Sequence, residues 1–450
     1  MIAAAARLVP RQRSVAWRLR VLSVAVVAEA ALLAVAGMGA LAGTQDDVVR
    51  SSDQHRLHVA LADADRYAAE EFLSSCQTTN PGWTTQTPVL LTYCRGTVES
   101  GGHRLLYQGA IGSATTELKR AAEDSGSDAG ASQRLQGLDA QVAQYSDLVE
   151  TGRANTRLDQ PVGAAYLRAA STLLHQGENG AGILSRDERE PAILAQVDGL
   201  DGLDPAGGSA AVGGRALLVV TLLLAIALLA TLLLVQRSVR RRFRRRYNAG
   251  LAAATLVLVP FLAWMAVLVV EAGQVPLAGA SQPVARWHAM EQARAQAHDA
   301  IADESLALIP GGGETAAAAD AAALRRDLSG TDVAAADQRF DSTRAAIRTD
   351  VDAGRLGAGI ARLSCDRGAD CVHPTLEDSF GDLDRSLRGD LARDAGGLAA
   401  SLGLAADGAG SVTMGGAGAV RLVPIAVALV VAVLVVLGMQ PRIDEYRRAS

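Results

Sequence analysis

The side chains of this sequence whose type and spacing could do chemistry are few. Arg153 and Arg157 stand four apart, with Asn155 between them and Pro161 following, in the segment VETGRANTRLDQPVGAAYLRAAS. On a helix that spacing puts both guanidinium groups on one face, where they could hold a carboxylate ligand through charge-assisted hydrogen bonds. The plainer reading is a solvated helix end, because exposed arginine is ordinary. His55 and His58 are three apart and could take a metal with Asp53. Amphipathic helices place histidines on solvated faces routinely, however, so the expectation is no metal and no cofactor. The four cysteines fall as Cys76 with Cys94 and Cys365 with Cys371. Two structural disulfides are the economical reading, each worth about 3 kcal/mol in the chain-entropy model.

No catalytic residue is expected. The sequence has no Walker-type loop, no protein-kinase signature, no HExxH and no GxSxG elbow. The run Gly311-Gly312-Gly313 lacks a following Lys-Ser/Thr and reads as a turn.

These residues must be positioned by helices. The chain of 450 residues is 49% hydrophobic but only 4% aromatic, a balance of Ala, Leu and Val that predicts an all-α fold. Four apolar stretches, residues 21–41, 216–235, 251–270 and 420–439, reach the roughly 20 residues that span a bilayer. The first contains Glu29, an intramembrane acid that marks either a switch or a neutral hydrogen-bonded carboxyl. Ala40-Leu41-Ala42 resembles a signal-peptidase site, but the apolar run is longer than a signal core and leads directly into helical sequence, which favours a retained anchor.

Arginine placement predicts the orientation. Residues 1–20 and the tail 440–450 are basic or contain clustered arginine, and the connector 236–250 carries Arg237, Arg240, Arg241, Arg242, Arg244, Arg245 and Arg246 with no acid. These three pieces are expected in the cytoplasm. The connector would bind anionic lipid headgroups or dock an acidic effector. Residues 44–215 hold 14 basic and 23 acidic side chains, and residues 271–419 hold 13 and 22, so both segments, within domains 42–215 and 271–419, are expected outside. The cytoplasmic pieces total about 45 residues, too few for an independent enzymatic domain.

Each external domain is predicted to be an antiparallel helical bundle whose end members run into spans. In the first, helices are expected over 45–73, 103–123 and around the stripe Leu135, Leu138, Val142, Tyr145 and Val149, with Pro161 opening a fourth. The path from Gly177 to the membrane is expected to be irregular. In the second, helices are expected over 287–308, 316–328, 332–363 and 375–404, with Gly-rich loops at PGGGE and DGAGSVTMGGAG.

The strings HVALADADRYAAEEFLSS, QYSDLVETGRANTRLDQPVGAAYLRAAS, ARAQAHDAIADESLALIPGGGE and GMQPRIDEYRRAS resemble those of the GlnX family of four-span actinobacterial membrane proteins. The resemblance implies a non-enzymatic transducer that relays extracellular aspartate or glutamate, sensed through a solute-binding lipoprotein, to a cytoplasmic Ser/Thr protein kinase. The insertion CQTTNPGWTTQTPVLLTYC departs from the short connector expected there. Two other readings stay open: a four-helix-bundle sensor that binds a small ligand directly, and a structural accessory subunit of an envelope or transport complex. No nucleic-acid partner is expected.

Overall fold

The structure is a computed structural model that describes residues 15–77, 101–124, 129–157, 162–177, 191–200, 207–243, 249–271, 283–309, 333–363, 374–402, 405–406, 412–413 and 422–448. The helices are α1 (Val15–Gln77), α2 (Gly101–Asp124), α3 (Ala129–Arg157), α4 (Gly163–His175), α5 (Ile193–Asp198), α6 (Gly207–Phe243), α7 (Ala249–Glu271), α8 (Pro283–Ala307), α9 (Ala334–Asp352), α10 (Leu356–Leu363), α11 (Leu376–Leu402) and α12 (Val423–Arg448). Two strands of two residues, β1 (Ala405–Ala406) and β2 (Val412–Thr413), pair antiparallel between α11 and α12. The second strand lies inside a stretch expected to be loop.

Four of these helices are long and apolar enough to cross a membrane: α1, α6, α7 and α12. They close into a ring, with α1 against α6 and α12, and α7 against the same two. Leucine and valine such as Val24, Leu32, Leu223, Leu234, Leu256 and Leu437 point outward, as lipid-facing side chains do. Two close approaches fix the ring. A Cβ on Gly250 would lie 2.5 Å from the Leu434 carbonyl oxygen and 2.7 Å from the Gly438 Cα, so the backbones of α7 and α12 touch there. At the opposite end, Gly37 of α1 leaves room for Pro424 of α12. Gln236 of α6 donates to the Leu251 carbonyl at the start of α7, 2.8 Å away.

The helix α1 does not stop where the apolar stretch ends. Its 63 residues rise about 95 Å, of which a bilayer core would take up roughly a third, leaving the rest to project. Ala40 and Leu41 are fully buried in the middle of this rod. Around its projecting part α2, α3, α4 and α5 form a first lobe, and α8, α9, α10 and α11 form a second. The first lobe buries Leu57, Leu61, Leu138, Tyr145, Leu174 and Ile193, and the second buries Trp287, Ile301, Phe340, Ile347, Leu383 and Leu387. The lobes are not independent bundles: α8 packs along α1, so the rod is a wall of both.

Local signals explain the helix ends. Thr375 and Asp378 form a reciprocal cap, each side chain accepting from the other's backbone N–H at 3.1 Å, and so start α11. The single helix expected over 332–363 is broken in two. Gly354 adopts φ 74°, its N–H bonds the Val351 carbonyl and the Arg355 N–H bonds the Asp350 carbonyl, the pattern that closes a helix at a left-handed glycine. The path after Gly177, expected to be irregular, contains α5, which buries Ile193, Leu194 and Val197. The expected helix 316–328 lies outside the described residues.

Candidate functional site at the seam between the lobes

The facing surfaces of α1 and α8 carry charge instead of a continuous apolar stripe. On α1 these residues are Ser51, His55, His58 and Asp63, and on α8 they are His288, Glu291, His298 and Asp299, while Arg66 of α1 and Arg294 of α8 turn to α11. Steps of four and three relate Ser51, His55 and His58 on α1, and steps of three and seven relate His288, Glu291 and His298 on α8, so each of these runs stays on one side of its rod.

His58 is buried with both ring nitrogens on carboxylates. Its Nδ1 lies 2.8 Å from Oδ1 of Asp198 on α5, and its Nε2 lies 2.8 Å from Oδ2 of Asp299 on α8. His298 repeats the arrangement from the other lobe. Its Nδ1 is 2.8 Å from Asp63 on α1, its Nε2 is 3.3 Å from Asp384 on α11, and the Phe380 ring packs edge-on against it. Asp384 also takes Arg294 at 2.8 Å and Arg388 at 2.7 Å. Toward the base of the seam, His55 sits 3.3 Å from Glu291 and Ser51 sits 3.1 Å from His288.

The first lobe continues the network inward. Asp65, fully buried, accepts from Tyr145 on α3 at 3.0 Å and faces His175 of α4 at 3.2 Å. Arg66 donates to Glu70 at 2.8 Å, lies 3.5 Å from Glu377 on α11, and stacks over the rings of Tyr67 and Phe380. His103 of α2 reaches the other oxygen of Glu70 at 3.3 Å.

Protonation follows from these contacts. Burial pulls the His58 imidazole down, but Asp299 and Asp198 outweigh it and hold it up at about 10. Burial likewise opposes His175, and Asp65 raises it to about 9. His298 is raised by Asp63 and Asp384 against the same opposition. Asp63, Asp299 and Asp384 are all lowered, because burial, which would raise them, is outweighed by the imidazoles they face. At neutral pH His58, His175 and His298 are therefore imidazolium ions, and Asp63, Asp299 and Asp384 are carboxylates.

The histidines are thus neither on a solvated face nor convergent. His55 and His58 turn to different carboxylates, and Asp53 pairs with Arg56. Among the described residues no group of three or more His, Cys, Asp or Glu could hold a metal ion. The seam was missed from sequence because its partners come from α5, α8 and α11, far along the chain. The usable signal was the excess of ionisable residues on a helix expected to lie in a bundle.

The arginine pair is divided. Arg153 points inward, where its Nε donates to Glu71 of α1 at 2.9 Å, its other nitrogens reach Glu71 and Glu150, and it stacks over Tyr107. Arg157 is exposed, and Asn155 donates to the Thr151 carbonyl at 2.8 Å. A carboxylate ligand at this place would have to displace an internal acid from Arg153. Glu29 hydrogen-bonds Thr231 of α6, and its second oxygen is buried with no hydrogen-bond partner among the described residues. Arg237 and Arg240 are exposed at the end of α6. The side chains of Arg241, Arg242, Arg244, Arg245, Arg246, Cys76, Cys94, Cys365 and Cys371 lie outside the described residues.

No curated protein and no solved structure matches the chain. One family model does match, over residues 42–184, a stretch that takes in the projecting part of α1 and all of α2, α3 and α4. It includes His58 but neither Asp198 nor Asp299, the carboxylates on either side of it. The first lobe is, over that stretch, similar to the actinobacterial sensor domain.

Proposed function

We propose that the chain is a non-enzymatic transmembrane sensor and signal transducer, with both lobes outside the cell and the arginine-rich ends of the spans inside. The observation that carries the reading is that a stretch similar to a sensor domain is built on the same uninterrupted helix, α1, that enters the bilayer. A displacement or rotation of the projecting part then reaches the membrane part without crossing a joint. Such a device needs two packings a few kcal/mol apart and a partner that binds one of them more tightly.

The resemblance to four-span actinobacterial proteins supplies the content of the signal. Extracellular aspartate or glutamate, carried by a solute-binding lipoprotein, engages the lobes, and a cytoplasmic Ser/Thr protein kinase receives the result. The cluster from Arg237 to Arg246 is the outlet, resting on anionic headgroups until an acidic surface competes for it.

Two measurements test this. A topology reporter placed near Tyr247 should read cytoplasmic, and a reading on the far side of the membrane overturns the arrangement. Deleting the gene should abolish the change in kinase-substrate phosphorylation that follows addition of aspartate or glutamate. An unchanged phosphoproteome rejects the relay. Heat released on adding aspartate or glutamate to the purified full chain alone would favour direct binding in place of the lipoprotein.

A further inference from the structure

Two imidazoles tie together the elements that lead into all four spans. His58 sits on α1, continuous with the first span; Asp198 ends α5, shortly before α6 and the second span; Asp299 sits on α8, the helix that follows α7 and the third span. His298 then links α8 back to α1 through Asp63 and onward to α11 through Asp384, and α11 precedes α12 and the fourth span. A neutral imidazole has one N–H and one lone pair, so with carboxylates on both nitrogens it would set a lone pair against an anion. Both rings therefore need their second proton to hold these partners.

We propose that His58 and His298 form a charge latch: while both rings are protonated the second lobe is held against α1, and loss of either charge frees α8 from α1 and lets the second, third and fourth spans move relative to the first. This deepens the sensor reading and rests on it for its biological use. The groups that face His58 are Asp198 from α5 and Asp299 from α8, with the His175 and Asp65 pair from α4 and α1 and Asp303 of α8 behind them. Those facing His298 are Asp63 from α1, Asp384 and Arg388 from α11, and Arg294 from its own helix. The charges from α2 and α3 face other parts of α1: Glu117 and Arg120 act on Asp53, His103 on Glu70 and Arg153 on Glu71. Asp63, Asp299 and Asp384, held below the usual carboxylate range, stay ionised at neutral pH, so what opens the latch on the alkaline side is the imidazolium proton. Loss of the His58 charge leaves Asp299, and loss of the His298 charge leaves Asp63, largely buried and without the imidazolium it faces, which drives the surfaces apart to admit water.

The test is hydrogen exchange of the full chain in lipid nanodiscs, corrected for the intrinsic effect of pH on the chemistry of exchange. Between pH 7 and pH 10 the wild-type protein should lose protection together in residues 51–66, 193–200 and 288–303, by at least about tenfold, the equivalent of one unit of pKa shift. His58→Gln should show that loss already at pH 7, and His58→Arg, which keeps a fixed charge able to bridge two carboxylates, should show little change with pH. Loss of protection confined to α1, with α5 and α8 unaffected, overturns the latch, as does a His58→Arg chain that responds to pH like the wild type. The wild-type titration decides the matter even where a variant fails to fold. A latch that opens as described while phosphorylation signalling is indifferent to His58→Gln would uphold the latch and reject the sensor reading.

Discussion

Arg153 and Glu71 form a forked ion pair between α3 and α1, with the arginine's Nε 2.9 Å from Oε1 and a second nitrogen on Oε2. Both side chains are largely buried, so removing one partner strands the other. Arg153→Ala should lower the unfolding free energy of the first lobe by about 3 kcal/mol. Arg153→Lys should recover only part, since an ammonium cannot reproduce the fork. Chemical denaturation followed by tryptophan fluorescence and circular dichroism checks both. Aspartate or glutamate that raised the melting temperature of the wild type but not of Arg153→Lys would instead place a ligand at this arginine.

The pH dependence of stability has a definite sign. His58 and His175 have folded values of about 10 and about 9, above the 6.5 of a free imidazole. The folded state therefore binds their protons more tightly. Their contribution is complete below pH 6.5 and is lost as pH rises toward 9 and 10. Asp63 and Asp299 are lowered from 3.8, so theirs is present above that value and fades as acid titrates them. Thermal melting of the full chain in nanodiscs should be highest between about pH 4 and 6.5 and should fall steadily on the alkaline side. A flat profile from pH 6.5 to 10 contradicts the charged seam.

The contact of α7 with α12 makes Gly250 intolerant of any side chain. An added Cβ meets backbone atoms at 2.5 and 2.7 Å, and backbone cannot swing aside. Gly250→Ala should destabilise the span ring by about 1–3 kcal/mol, as overpacking does. Gly39 is the control, because its Cβ would meet only Leu217 Cδ1 at 3.9 Å. Steric trapping or protease accessibility in a bilayer should separate the two variants.

Gly354 closes α9 at φ 74°, with open space where a Cβ would go. Its substitution by alanine is therefore a pure backbone effect. Gly354→Ala should cost about 1 kcal/mol and leave the spectrum of the folded protein unchanged. A loss several times larger would mean that the turn does more than join α9 to α10.

What the sequence reveals and what it hides divide on physical grounds. The four spans are legible because an unbroken run of about twenty apolar residues matches the thickness of a bilayer core. The second helix, expected over 103–123, is found over Gly101–Asp124. The expected helix 332–363 was divided by one glycine, whose left-handed conformation is a local preference that an otherwise unbroken stripe conceals. The seam was illegible for a different reason. Periodicity assumes that a helix has a wet side, yet α1 is buried from Ser51 to Gln54 and from Leu57 to Ala62 on every face. When neighbours cover a rod all round, polar residues mark partners instead of solvent, and His58 cannot announce that Asp198 and Asp299 will be there. The spacing offers Arg153 either to a carboxylate ligand or to a solvated helix end, and the structure sets it instead on an internal acid. Its carboxylate proved to be Glu71, whose identity depends on how α3 docks against α1.

The sharing of α1 has a practical corollary for anyone dividing this molecule. A fragment beginning after residue 271 would carry α8, α9, α10 and α11 but not the rod against which α8 closes, and would present His58's and Asp63's counterparts, Asp299 and His298, to water. The second compartment thus borrows a wall from the first. Boundaries drawn at the loops between spans would cut through a hydrogen-bonded joint, and a soluble version of the second lobe needs residues 45–77 grafted into it.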